Sequence, residues 1–296
     1  MNAQRGIALI IVLWMLALLT IVVGTYAVLA RTESMQARFL FDTTDARLAA
    51  EAGLHRAVVE LRNPEQETRW VPDGRGYAFE LGGAIVEVRV TDETGLIDLN
   101  AAQTDLLAEL FISRGADEIQ ALQFADAIAD WRDPDDEPRP YGAEADDYYR
   151  AGYPYGPRNA PFDSVEELQQ VIGMTWEIYR SVEGALTVHS GRPAPNPAFA
   201  PAEVLMVLPD IDREAAELFV EERSQYHPAD QMQLMLPDGT LVNQRGGGLT
   251  HTIKSRATLE NGAWNQLEAT IRLGTDNRGR PFRIVRWREN REDFND

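Results

Sequence analysis

The apolar positions of this chain change period several times. Residues 7–30 (IALIIVLWMLALLTIVVGTYAVLA) carry no charged side chain over 24 positions. A helix of about 20 apolar residues, rising about 1.5 Å each, crosses a bilayer core. The helical pattern continues past Arg31 and Glu33. Apolar residues at Phe39, Leu40, Ala46, Leu48, Ala52, Val58, Val59 and Leu61 keep roughly helical spacing, and no proline occurs before Pro64. The pattern predicts one helix over 7–62, apolar in its first half and amphipathic in its second. Pro64, Pro72 and Asp73-Gly74 then break it. Residues 77–81 and 84–91 alternate around Gly82-Gly83, a hairpin signal.

From Asp98 the period is helical again, through Leu106, Leu107, Leu110 and Phe111 and then Ile119, Leu122, Ala125, Ile128 and Trp131. Ser164 and Glu167 have capping-box spacing for a helix carrying Leu168, Val171 and Ile172, ended by Gly173. A further turn or two is expected around Trp176, Tyr179 and Val182. After the proline-rich stretch 192–197, residues 202–208 and 213–222 read as two helices joined by the tight turn 209–212. Strands return over 250–259, 264–273 and 282–288, with Asn261-Gly262 and Asp276-Asn277-Arg278-Gly279 at the joints, as in an antiparallel meander. The expected fold is α+β: a long N-terminal helix packed on an antiparallel sheet, with a large, mostly helical domain inserted between the second and third strands.

Composition narrows the function. The net charge of −19 disfavours binding to nucleic acid or anionic membrane surfaces. The absence of cysteine excludes disulfides, thiolate metal sites and cysteine nucleophiles. His55, His189, His227 and His251 are scattered, and no metalloprotease, nucleophile-elbow, P-loop or dinucleotide pattern occurs, so catalysis is not expected. The turn Leu208-Pro209-Asp210-Ile211-Asp212 resembles a helix-hairpin-helix turn with Asp in place of both glycines. Carboxylates there would repel a DNA phosphate, so the element reads as a structural or protein-contact module.

The segment 126–149 (DAIADWRDPDDEPRPYGAEADDYY) sets nine carboxylates against Arg132 and Arg139. Calcium takes six to eight oxygens, and alternate acids on a Pro/Gly-turned loop can converge on one ion. The spacing is not that of an EF-hand, and a solvated acidic loop is the simpler alternative. Trp131, Tyr141, Tyr148 and Tyr149 argue that part of the loop packs, and packed acids need counter-charge. The candidate Ca²⁺ ligands are Asp130, Asp133, Asp135, Asp136, Glu144, Asp146 and Asp147.

Arg5-Gly6 sits directly against the apolar run. A short basic leader ending in Gly, followed by a helix that runs on unbroken, resembles the class III signal of type IV pilins and type II secretion pseudopilins. The resemblance implies that prepilin peptidase cuts between Gly6 and Ile7, with N-methylation of Ile7. Most of that family carry Glu at the fifth mature position, where this chain has Ile11. Its absence is characteristic of the minor pseudopilin K family. Leu13-Trp14, the 94–100 segment TGLIDLN, the Asp-rich Trp131 segment and the 162–168 segment FDSVEEL resemble that family too, in order along the chain.

The resemblance implies a leader (1–6), a spine helix (7–62, with 7–30 transmembrane) and a pilin-like sheet domain (63–97 and 246–296). It also implies an inserted α-domain (98–245), SAM-like or helix-hairpin-helix-like, with subdomains at about 98–190 and 196–245. It further implies structural calcium, a place at the tip of the periplasmic pseudopilus with minor pseudopilins I and J and the other pseudopilins, and a single pass through inner-membrane lipid. The residues alone leave open a plain signal anchor, oriented by Arg5, on a periplasmic envelope scaffold. A cleaved secretory signal fits poorly, because its apolar core is about 7–15 residues.

Overall fold

A computed structural model describes residues 4–227, 234–242, 247–275 and 279–289, with side chains from Leu9 onward. Helix α1 is uninterrupted over Gln4–Leu61, 58 residues, or roughly 87 Å at 1.5 Å per residue. Its first half is long and apolar enough to cross a membrane, and its side chains from Leu9 to Phe41 are exposed.

The second half packs on a five-stranded sheet through Ala46, Ala49, Ala50, Leu54, Ala57, Val58 and Leu61. The buried stripe is built mostly from alanines, while Phe39, Leu40, Leu48 and Val59 of the expected amphipathic face are exposed. Small side chains bring the helix axis close to the sheet. A Cβ on Gly53 would lie 2.2 Å from Ser255 Oγ and 2.8 Å from Val86 Cγ1.

The sheet contains β1 (Asp73–Leu81), β2 (Ala84–Asp92), β5 (Thr250–Leu259), β6 (Trp264–Leu273) and β7 (Phe282–Glu289). All neighbours in the order β1-β2-β5-β6-β7 are antiparallel. Gly82 and Gly83 have φ of +59° and +83°, the pair of left-handed residues that a two-residue hairpin turn needs. The β5–β6 joint turns at Gly262, with φ +84°. The predicted turn at Asp276-Asn277-Arg278 and the boundary at Gly246 lie outside the described residues.

The chain leaves the sheet at Asp92 and re-enters beside it, with Asp92 paired to His251, so everything between is an insertion between adjacent strands. The insert contains β3 (Ile97–Asp98), α2 (Thr104–Ser113), α3 (Glu118–Arg132), α4 (Ala145–Arg150), α5 (Trp176–Val182), β4 (Leu186–Thr187), α6 (Ala202–Leu205) and α7 (Arg213–Gln225). One apolar core runs from Leu99, Phe111, Phe124 and Trp131 through Tyr148 and Tyr179 to Leu205 and Phe219, so both expected halves share it.

One local expectation is revised, and two local features go beyond the sequence. Residues Val165–Gln170 form a 3₁₀ turn rather than an α-helix, and the Ser164 side chain caps nothing. The Glu167 carboxylate instead accepts from Asp163 N and Trp131 Nε1 and pairs with Arg158. β3 and β4 form a short parallel ladder that periodicity does not signal. In the helix–turn–helix, Asp210 holds φ +60°, the left-handed setting for which glycine is usually chosen, and Asp212 caps α7 by accepting from Ala215 N at 2.8 Å.

Buried polar groups tie the insert to the sheet. Asp92 accepts from Thr94 N, Thr94 Oγ1 and Gly248 N. Glu93 accepts from Thr187 Oγ1 of β4 and Thr252 Oγ1 of β5. Within the insert itself, Asp98 accepts from Asn100 N, Ser190 Oγ and Gly191 N. Arg223, at the end of α7, donates to the carbonyls of Pro197, Ala200 and Asp73. A Cβ on Gly95 would lie 2.5 Å from the Phe199 backbone, so glycine permits this close crossing.

Candidate functional site

The acidic segment begins at the C-terminal end of α3, where burying Trp131 and Phe124 fixes the helix on the insert core. Arg132 anchors the end of α3 by donating to the carbonyls of Leu99 and Ala102. Asp130 points inward and is fully buried. Its carboxylate accepts from Arg139 N, Arg139 Nη1 and Ala143 N, so the loop after α3 wraps around it. A Cβ on Gly142 would lie 1.9 Å from Asp130 Oδ2. Asp126 accepts from Tyr141 N in the same loop. Burial pushes the Asp130 carboxyl above its ordinary value, against these donors.

Glu144, at the start of α4, is 5% exposed, and neither carboxylate oxygen has a hydrogen-bond partner among the described residues. Its pKa is pushed up to about 7, first by burial and then by Asp130, Asp133, Asp136 and Asp135. Two more buried acceptors of the same loop region lack donors among the described residues. Asp133 gives Oδ2 to Arg139 and leaves Oδ1 bare. Asn159 holds φ +52°, donates from Nδ2 to Asp135 O and Asp136 Oδ1, and leaves its own Oδ1 bare. Buried acceptors without donors are costly, and four of them lie on or beside this acidic loop.

All four are hard oxygens, the donor type that suits calcium rather than a soft metal. Among the described residues no three Asp, Glu or His side chains already converge as a coordination shell. The residues that fit a cation are therefore Asp133, Glu144 and the amide oxygen of Asn159, with Asp135 and Asp136 adjoining.

Of the sequence candidates, the structure gathers Asp130, Asp133, Asp135 and Asp136 around Glu144. Asp130 is occupied as a loop clip. Asp146 is exposed, and Asp147 accepts from Glu144 N and pairs with Arg150. Asn159 escaped the sequence reading because it carries no charge. The signal was an amide inside the Gly/Pro-rich stretch 156–161, since an amide oxygen ligates calcium as a carboxylate does. Gly6 and Ile7 lie on the α1 backbone, and their side chains fall outside the described residues.

Residues 88–191 match the family described as type II secretion system (T2SS), protein K. This segment holds the end of β2, TGLIDLN and the whole acidic loop. The chain is 29% identical over 202 residues to the type II secretion system protein K of Klebsiella pneumoniae, covering 60% of this chain and 61% of that relative. It is 28% identical over 199 residues to the putative type II secretion system protein K of Escherichia coli K12, covering 60% and 61%. With the Dickeya chrysanthemi protein K it shares 30% identity over 125 residues, covering 39% and 33%. The matched region thus spans about three fifths of the length of the first two relatives.

In fold, the chain is similar to a chain of the GspK-GspI-GspJ complex from the type 2 secretion system of enterotoxigenic Escherichia coli. The TM-score is 0.55 at 17% identity, covering 88% of this chain and 99% of that one. Over residues 88–191 the chain therefore matches the type II secretion system protein K family, and its fold is similar to that of a chain in the GspK-GspI-GspJ complex.

Proposed function

We propose that the protein is a minor pseudopilin of a type II secretion system, acting without catalysis at the tip of a periplasmic pseudopilus. The observation that carries this reading is α1: one unbroken rod whose apolar half is bare and whose other half is the spine of the head. Before assembly the bare half rests in the inner membrane. After the leader is cut between Gly6 and Ile7 and Ile7 is methylated, it exchanges lipid contacts for packing against other pseudopilin helices. Ile11 leaves no carboxylate in that half, and a bulky insert in the head would obstruct another subunit stacking above it. Minor pseudopilins I and J are the proposed neighbours, since the structural relative belongs to such a complex.

We further propose that Asp133, Glu144 and Asn159 hold a calcium ion. Its charge would stabilise the ionised acids and fix the loop that covers the aromatic core around Trp131 and Tyr148.

Co-expression with a prepilin peptidase tests the filament reading. N-terminal mass spectrometry should show a chain beginning at methylated Ile7, and a bulky substitution at Gly6 should block the cut. An intact Met1 terminus in the presence of active peptidase would favour a plain anchored scaffold.

A further inference from the structure

β7 is an edge strand, paired with β6 and with no neighbour on its other side among the described residues. A free edge presents unpaired N–H and C=O groups on which another strand can form. The register assigns the β7 side chains to faces. Phe282, Ile284 and Trp287 lie opposite Leu273, Ile271 and Ala269, on the side that carries α1. Arg283, Arg286 and Arg288 lie opposite Arg272, Thr270 and Glu268, on the other side.

Arg286 and Arg288 reach Glu268 and Glu166. Arg283 and Arg272 face each other directly, both are exposed, and neither has a hydrogen bond or ion pair among the described residues. Like charges directly opposite on neighbouring strands destabilise a sheet. The same positive field is felt at His189, whose pKa is lowered first by burial and then by Arg286, with Arg272 and Arg283 adding to it against Asp98. This basic patch sits on a chain of net charge −19. On the α1 side of the same strand, Ile284 is 50% exposed and Trp287 36%.

Arginines on an edge strand alone would serve to repel stray strands. A second unpaired arginine one strand further in adds repulsion that such guarding does not need, and an acid placed beside Arg283 would relieve it. We propose that the free edge of β7 accepts an extended segment of a partner protein whose side chains alternate acidic and apolar. The acids would face Arg272 and Arg283, and the apolar residues would cover Ile284 and Trp287. A second copy pairing through the same edge would set arginine against arginine, so the partner strand is a different one.

The test uses the full-length chain in detergent micelles and a labelled synthetic peptide of about eight residues, the length of an ordinary strand, alternating glutamate with valine and tyrosine. Binding is followed by fluorescence anisotropy and by hydrogen exchange of the β7 amides. The expected result is saturable, salt-weakened binding that protects β7. A peptide with lysine in place of glutamate should not bind, and Arg283→Glu should weaken affinity about tenfold, the scale of one well-placed charge.

Binding no better than that of a scrambled peptide, or equal binding by Arg283→Glu, would overturn the proposal. Two further results would overturn it by giving the edge another occupant. One is a peptide-free dimer abolished by Arg283→Glu. The other is tighter peptide binding after removal of residues 290–296. Because none of these readouts involves processing at Gly6, their failure is distinct from failure of the pseudopilin reading.

Discussion

Two groups of buried acids in this molecule meet opposite circumstances. At the joint between sheet and insert, the carboxylates of Asp73, Asp92 and Glu93 accept from backbone N–H groups, threonine hydroxyls or Arg75. Some 50 residues further on, buried oxygens of Glu144 and Asp133 have no donors among the described residues. The first group is complete within the chain and acts as fastening. On the proposed reading, the second is completed by a cation from outside the chain. Buried charge by itself therefore does not separate the two groups; the presence or absence of donors does.

The largest effect that separates the groups is expected at the joint. Asp92→Ala strands the N–H groups of Thr94 and Gly248 and should cost on the order of 3 kcal/mol, read as a lowered chemical-denaturation midpoint. Calcium should not restore it. A full rescue by calcium would erase the distinction between the two groups.

Next in size is the ion itself. Calcium at about 100 times its dissociation constant should stabilise the wild-type chain by about 2.7 kcal/mol, and EDTA should remove that gain. Glu144→Gln removes the bare charge. It should raise the stability of the calcium-free chain near pH 7.5 and abolish the response to calcium.

The pH dependence sharpens the same point. Glu144 titrates at about 7 when folded, against an ordinary value of 4.5. Between those values the folded chain keeps a proton that the unfolded chain has lost. The calcium-free protein should thus lose stability as pH rises from about 4.5 to about 7, and Glu144→Gln should flatten that slope. A calcium-free wild-type chain whose stability rises through this window would contradict the burial of Glu144.

The smallest expected effect is at Asn159. Asn159→Gly keeps the left-handed backbone and removes the amide oxygen. Calcium affinity should fall by about tenfold, the scale of one neutral ligand, with little change in the calcium-free melting temperature.

Much of the fold was legible because its signals are local. A long apolar run without proline dictates α1, Gly82-Gly83 and Asn261-Gly262 dictate tight turns, and alternation dictates β2, β5 and β6. What stayed hidden depends on contacts distant along the chain. Ile97 pairs with Leu186, the Ser164 cap yields to contacts of Glu167 with Trp131 and Arg158, and α1 meets the sheet through alanines rather than its larger apolar residues. At the candidate site the sequence marked the acidic loop. Only the three-dimensional arrangement separates Asp130, clipped to its own loop, from Glu144, which lacks any donor, and brings in the uncharged Asn159.

Calcium content measured by mass spectrometry on full-length chain purified without chelator, for wild type and Glu144→Gln side by side, tests the cation assignment most directly. Calcium retained through dialysis by the wild-type chain and lost from Glu144→Gln is the expected result. Equal calcium in both chains, or none in either, would contradict it.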